Sequence, residues 1–398
     1  MTMTEANISI GQEEQEILNV VHNFAETVMR PVGIELDKLS DPSEAISQGS
    51  PLWQVFDKYS ELGIDMFELA NSGLPPNRVA MLNAMISEEL GWGDSGLAIS
   101  LEVSIFPKAL AMLSGDSELI EQFGTGHEVG CWAITEPDHG SDIIYFGGQL
   151  KDMPGKPNCI AKKSGDFLEI NGQKAAWVSN GTIAKNAALF CAVDMGDGIS
   201  GMGGILVDLT QTGVSRGAPL DKIGQRALNQ GEIFFENVRV PIKNMVISPE
   251  LGTFGSDIGL SMANAGMGAT FVGVSRAAFE LAVSYAKERI QKGVPIIEHQ
   301  SVKSRLFKMY QKLESARYLA RQAVLNNGMG APDLKMSIAS KVTSTQSAFE
   351  VASEAIQIYG GNGLAKAYPV EKLMRDARAS MIEDGCNEVL GILAAEKF

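Results

Sequence analysis

Residues 381–389 read MIEDGCNEV, so two carboxylates, Glu383 and Asp384, stand side by side before Gly385 and between two apolar helical stretches. A carboxylate in such a place can serve as a general base. The same residues also make an ordinary turn between helices, because glycine accepts the positive φ that many turns require. The chain's 48 acidic residues leave plenty for the surface. Two further stretches hold small donors in tight turns. In CWAITEPDHGSD (131–142), Pro137 holds Glu136 extended, while Gly140 and Ser141 offer backbone N–H groups and a hydroxyl. That turn suits a phosphate, a ring edge or a carbonyl, and equally suits a plain surface turn. In NGQKAAWVSNG (171–181), Trp177 and Val178 precede the donors Ser179 and Asn180, a pattern common in half-buried aromatic packing.

The elements that carry these residues change character twice. Ile17, Val21, Phe24 and Val28 recur at helical spacing, and MLNAMISEELGW continues the pattern, predicting an N-terminal all-α domain over 1–128. Short β-rich runs broken by Gly, Asn and Asp turns follow, among them ALFCAV (188–193), GGILVDL (203–209), EIFF and VRV. They predict a middle β domain over 129–248. Helical spacing then returns, with Val302, Leu306, Met309 and Leu313 on one stripe and further helices over 332–359 and 369–381. This predicts a C-terminal helical bundle over 249–398.

Composition narrows the function classes. With 398 residues, 45% of them hydrophobic, the chain can bury a large core. A formal net charge of −15 disfavours nucleic acid, whose phosphates it would repel. No run approaches the roughly 20 apolar residues of a membrane span, so no membrane partner is expected. The acidic start lacks the basic region of a signal peptide, and a cytoplasmic location is the expectation. Four scattered cysteines without C-x-x-C and four distant histidines predict reduced thiols and no metal site.

Taken in order, these stretches resemble the acyl-CoA dehydrogenase family over almost the whole chain. TEPDHGSD is similar to the family's TEP-x-x-GSD signature and AWVSNG to its W-[IV]-[ST]-N segment. EIFFENVRVPIKN is similar to the strand that closes the β domain. YAKERIQKG with EHQ, then QIYGGNG and RDARASMIEDG, match its landmarks in the bundle. The resemblance implies an α+β fold: an N-terminal helical domain, a middle β-barrel-like domain and a C-terminal four-helix bundle. It also implies non-covalent FAD between the last two. Trp132, Ile134, Thr135 and Ser141 would line the flavin, Trp177, Val178 and Ser179 would pack on its ring, and Cys386 and Glu388 would complete that side. Arg289, Gln291, Gln300, Gln357, Gly360 and Gly361 would reach the FAD of a neighbouring subunit, implying a homo-oligomer, a dimer of dimers.

The chemistry so implied is α,β-dehydrogenation of an acyl-CoA thioester, with an electron-transfer flavoprotein accepting the electrons. Asp384 falls where the family carries its catalytic base, with Glu383 as the alternative and Asp94 in GWGDSG as a further candidate. Ser141, Asn264 and Gly385 fall at the substrate end. The chain also departs from the family: the residue before the glycine is usually glutamate, and Ala263 and Asn264 replace an alternative base and an arginine. The segment after Asp142 is roughly a dozen residues longer than typical. These departures point to an unusual substrate, cyclic, branched or bulky. The alternatives are a different reaction on the same fold, a monooxygenation or a non-oxidative elimination, or a non-catalytic subunit.

Overall fold

In the computed structural model, which describes residues 10–145, 152, 155, 157–196, 198–330 and 332–398, helices precede a sheet and helices return after it. The first part comprises α1 (Gln12–Phe24), α2 (Arg30–Asp37), α3 (Leu52–Glu61), α4 (Met66–Ala70) and α5 (Pro76–Gly93), then α6 (Ser95–Val103), α7 (Ile105–Ser114) and the one-turn α8 (Ser117–Leu119). The spacing seen in sequence is the buried face of α1: Leu18, Val21 and Phe24 point inward. Its first turn closes on itself, the Gly11 N–H donating to Glu14 Oε2 at 2.8 Å.

The stretch Ser95–Ser114 corrects one expectation, since its mean hydropathy of 1.5 over a window of membrane-spanning length does qualify it as a candidate span by composition. Half of that window is buried inside the protein, and the chain divides it into α6 and α7 at Ser104. The apolarity has a packing reason: eight of the nine residues of α6 are buried, among them Leu97, Ala98 and Leu101 in the core with α1 and α5.

The sheet has β1 (Gly130–Ala133), β2 (Cys159–Ser164), β3 (Phe167–Lys174), β4 (Asn186–Gly196), β5 (Ile199–Asp208), β6 (Val214–Arg216), β7 (Ile233–Pro241) and β8 (Met245–Ile247). Their order is β6-β7-β3-β2-β4-β5-β8, with β1 added beside β4. β4 pairs in parallel with β1 and β2 and antiparallel with β5, which explains its unbroken apolar run: Asn186 to Val193 are all buried.

The C-terminal part is α9 (Gly252–Glu288), the short hairpin β9 (Ile290–Gln291) and β10 (Val294–Pro295), then α10 (Gln300–Met329), α11 (Leu334–Tyr359), α12 (Val370–Ser380) and α13 (Asn387–Ala395). α5 crosses α9 so closely that a Cβ on Gly91 would overlap the Thr270 carbonyl oxygen and one on Gly273 would overlap that of Glu88. Glycine on both helices therefore sets the approach that carries the N-terminal part onto the bundle.

Candidate active site

The site is built on the turn between α12 and α13. Asp384 has φ 51° and Gly385 φ 91°, two successive left-handed residues that reverse the chain within a few positions. Glycine adopts this conformation freely and aspartate tolerates it. The Asn387 N–H closes the turn on the Met381 carbonyl at 3.0 Å.

Three side chains from distant elements then fix its backbone. Ser141, in the 3-10 turn Ser141–Tyr145, accepts the Cys386 N–H at 3.0 Å. Asn264 of α9 reaches the Asp384 carbonyl through Nδ2 at 3.4 Å, and Lys341 of α11 donates to the Gly385 carbonyl at 2.8 Å. The structure thus brings Ser141, Asn264, Gly385 and Cys386 to Asp384. Among the described residues the Asp384 N–H has no acceptor and its carboxylate no hydrogen-bond partner. The base candidate and the amide beside it are left open to a ligand.

Glu383 is differently committed. Its Oε2 accepts from Gln225 Nε2 at 2.7 Å, whereas the Asp384 carboxylate has no such partner among the described residues. Burial raises both acids. Glu383 is pushed up to about 7, opposed by the Lys222 ammonium and the Gln225 hydrogen bond and reinforced by Asp384. Asp384 is also held above the ordinary aspartate range by burial, with Lys341 pulling it back.

Asp94 does not join them. Its Oδ1 caps α6 by accepting the Leu97 N–H at 2.9 Å and its Oδ2 pairs with Lys372 at 2.6 Å, so both oxygens are spent on structure.

Four residues that sequence reasoning did not single out belong to this neighbourhood: Glu102, Gln225, Lys222 and Lys341. Glu102 accepts from Thr270 Oγ1 at 3.1 Å, feels the Asp384 charge, and is pushed up to about 7 mainly by burial. Lys341 did leave a signal. Leu334, Ile338, Lys341, Thr345 and Ala348 repeat at helical spacing, so a lysine stands on the buried stripe of α11.

The second group lies beside β1. Ala175 N–H donates to the Thr135 carbonyl at 2.9 Å and Lys174 Nζ to the Ile134 carbonyl at 2.7 Å, which joins the TEP stretch to the turn carrying Trp177, Val178 and Ser179. β1 ends at Ala133, and Glu136 with His139 forms an isolated bridge beyond it. Val178 is buried, whereas the Trp177 side chain is 61% exposed. Gln230 Nε2 holds the Trp177 carbonyl at 3.2 Å and Ser179 Oγ at 3.3 Å. Trp132 stacks on Phe106 with centroids 4.4 Å apart, and its buried Nε1 has no acceptor among the described residues. An exposed indole face, an orphaned buried N–H and the Ser141 and Ser179 hydroxyls fit a large planar heterocycle with polar edges, as a flavin is.

The remaining candidates are elsewhere. Arg289, Gln291, Gln300, Gln357, Gly360 and Gly361 are exposed at the end of the bundle where Tyr285 stacks on Tyr359, and none contacts the Asp384 turn among the described residues. Glu388 is exposed in the first turn of α13. Of the long segment after Asp142, residues 146–151, 153, 154 and 156 lie outside the described residues. Its far end is pinned where the Asn158 and Cys159 N–H groups donate to the Glu136 carboxylate. Among the described residues no group of three or more acidic, histidine or cysteine side chains forms a metal site.

Residues 131–238 match the acyl-CoA dehydrogenase middle domain and residues 258–398 its C-terminal domain. The chain belongs to the acyl-CoA dehydrogenase family, whose members are FAD-dependent. It is 30% identical to the mitochondrial short-chain specific acyl-CoA dehydrogenase of Sus scrofa, over 98% of this chain and 91% of that one. The structure of butyryl-CoA dehydrogenase from Megasphaera elsdenii superposes with a TM-score of 0.85 at 27% identity, covering 98% of this chain and 99% of that one. A chain solved in work on the electron transferring flavoprotein of Acidaminococcus fermentans gives the same TM-score at 26% identity, covering 98% and 99%.

Proposed function

We propose that the protein dehydrogenates a cyclic, branched or otherwise bulky acyl-CoA between Cα and Cβ, with Asp384 as the base. The observation that carries this reading is the Asp384 carboxylate itself, half-buried, without a hydrogen-bond partner among the described residues and next to a free amide, while its neighbour Glu383 is held by Gln225. The Cα–H of a thioester is too weak an acid for an aspartate unless the carbonyl is polarised. The Asp384 N–H supports that role, since the anchors from Ser141, Asn264 and Lys341 fix its direction before the substrate arrives. FAD, when bound, supplies the acceptor for the β-hydrogen and its two electrons. Asp384 takes the α-proton, the Cα–Cβ double bond forms, and exclusion of water by the surrounding domains keeps the proton on the carboxyl.

Aspartate is one methylene shorter than the family's usual glutamate, which draws its oxygens back by ~1 Å, a displacement able to cost on the order of a hundredfold. A substrate whose α-carbon sits closer to the turn restores contact, and this favours a bulky acyl group. Under the same reading an electron-transfer flavoprotein reoxidises the enzyme. The exposed set around Arg289 and Gln357 serves the FAD of a neighbouring copy in a dimer of dimers, and the protein works in the cytoplasm.

The test is anaerobic mixing of the flavin-loaded protein with a panel of acyl-CoA thioesters while the flavin absorbance is followed. Ring-bearing or α-branched thioesters should bleach it faster than straight-chain ones. Bleaching fastest with an unbranched chain would remove the bulky-substrate reading, and no bleaching with any thioester would remove the reaction.

A further inference from the structure

Lys341 is 0% exposed, one of the largest fully buried side chains in the protein, and sits on a face of α11 made of Ser337, Ser340, Ser344 and Thr345. A buried ammonium is costly unless paired, so its surroundings must explain it. Its Nζ donates to the Gly385 carbonyl and to Asn387 Oδ1, both at 2.8 Å. Asn387 in turn donates through Nδ2 to Thr345 Oγ1 at 3.1 Å, so the first residue of α13 is locked onto α11. The charged groups that face Lys341 are Asp384 first, then Glu383, the Cys386 thiol and Glu388. Among the described residues Lys341 makes no direct ion pair; its opposite charge comes across the turn.

We propose that Lys341 is a positioning residue for the dehydrogenation: its ammonium clamps the Gly385 carbonyl and Asn387, fixing the turn that carries Asp384, and stands as the buried cation opposite the Asp384 carboxylate. This rests on the reading of Asp384 as the base. The geometry separates two consequences. The clamp holds two consecutive left-handed residues whose backbone would otherwise relax. The cation favours the charged form of Asp384 against a burial that disfavours it. Burial also draws Lys341 itself down to about 8, against the pull of Asp384 and Glu383.

The experiment is the pH profile of anaerobic flavin bleaching by the best thioester, run on the wild type, Lys341→Met and Asp384→Asn, each with its FAD content measured. Lys341→Met should move the acid limb upward by about one pH unit, so that a loss of up to ~10-fold on that limb is largely recovered on the plateau above it. An equal loss on limb and plateau, or an unchanged limb, overturns the proposal, because a merely structural defect lowers the rate without moving the titration. If the methionine variant does not retain FAD, Lys341→Gln decides, because it keeps a donor for the Gly385 carbonyl without the charge: its acid limb must lie above that of the wild type. A Lys341→Gln limb that coincides with the wild-type limb overturns it equally. Asp384→Asn separates the two readings, since normal bleaching by that variant removes the base assignment, whereas slow bleaching with an unmoved Lys341→Met limb removes the role of Lys341 alone.

Discussion

The Cys386 N–H donates to Ser141 Oγ at 3.0 Å, joining residues 245 positions apart. That bond ties the C-terminal turn to the 3-10 turn that follows β1, so the Asp384 turn and the Ser141 hydroxyl share one anchor. Ser141→Ala leaves the Cys386 amide without its acceptor, which costs about 1–3 kcal/mol and loosens the turn. Thermal unfolding should fall accordingly, and flavin bleaching should slow by ~10-fold or more. Unchanged bleaching would show that the turn keeps its shape without Ser141.

Glu102 contributes one part of the pH dependence of stability. Burial raises its folded pKa from 4.5 to about 7. A carboxyl with a raised folded pKa gives stability that is complete below pH 4.5 and lost as pH climbs through 7. Glu102→Gln removes the buried charge, so it should leave stability unchanged near pH 4 and increase it by roughly 1–3 kcal/mol at pH 8. Denaturant unfolding at the two pH values checks this, and an equal effect at both would contradict it.

Lys372 makes a buried pair with both Asp94 and Asp376, each at 2.6 Å. Asp376 Oδ1 also accepts the Gln225 N–H, and Gln225 holds Glu383, so the cluster supports the site from behind. Lys372→Met strands two buried carboxylates and should cost about 3–5 kcal/mol. The matching triple change with Asp94→Asn and Asp376→Asn should recover part of that loss in thermal unfolding.

Much of the fold was legible because its signals are local. The periods that mark α1, α5 and α11 and the apolar runs of β4 and β5 lie within single elements. The site was legible only in part. Asp384-Gly385 marks a turn from residue types alone, but adjacency could not tell which of Glu383 and Asp384 faces a ligand. Gln225, 158 positions from Glu383, decides that orientation, and no local pattern announces it. Asp94 reads as a free acid in a Gly-rich turn and becomes a helix cap paired with Lys372, 278 positions away. The apolar stretch from Ser95 to Ser114 lacks the polar face of a surface helix because α6 within it is packed on several sides.

The assembly reading gives a further check. Arg289 and Gln357 are exposed and make no contact with the Asp384 turn. If the cofactor is shared between copies as proposed, replacing both with alanine should leave secondary structure intact and weaken FAD retention by ~10-fold. Native mass spectrometry should show four chains with one FAD each in the wild type. A monomer retaining FAD would contradict this assignment.

The most direct test of the account compares Asp384→Asn with Glu383→Gln in anaerobic flavin bleaching by the same thioester. Asp384→Asn keeps the size of the side chain and the backbone N–H while removing the proton acceptor, so substrate should bind and bleaching should slow by at least ~100-fold. Glu383→Gln should slow it far less and, by removing a neighbouring negative charge, shift the acid limb to lower pH. Normal bleaching by Asp384→Asn together with a large loss in Glu383→Gln would contradict the account and make Glu383 the base.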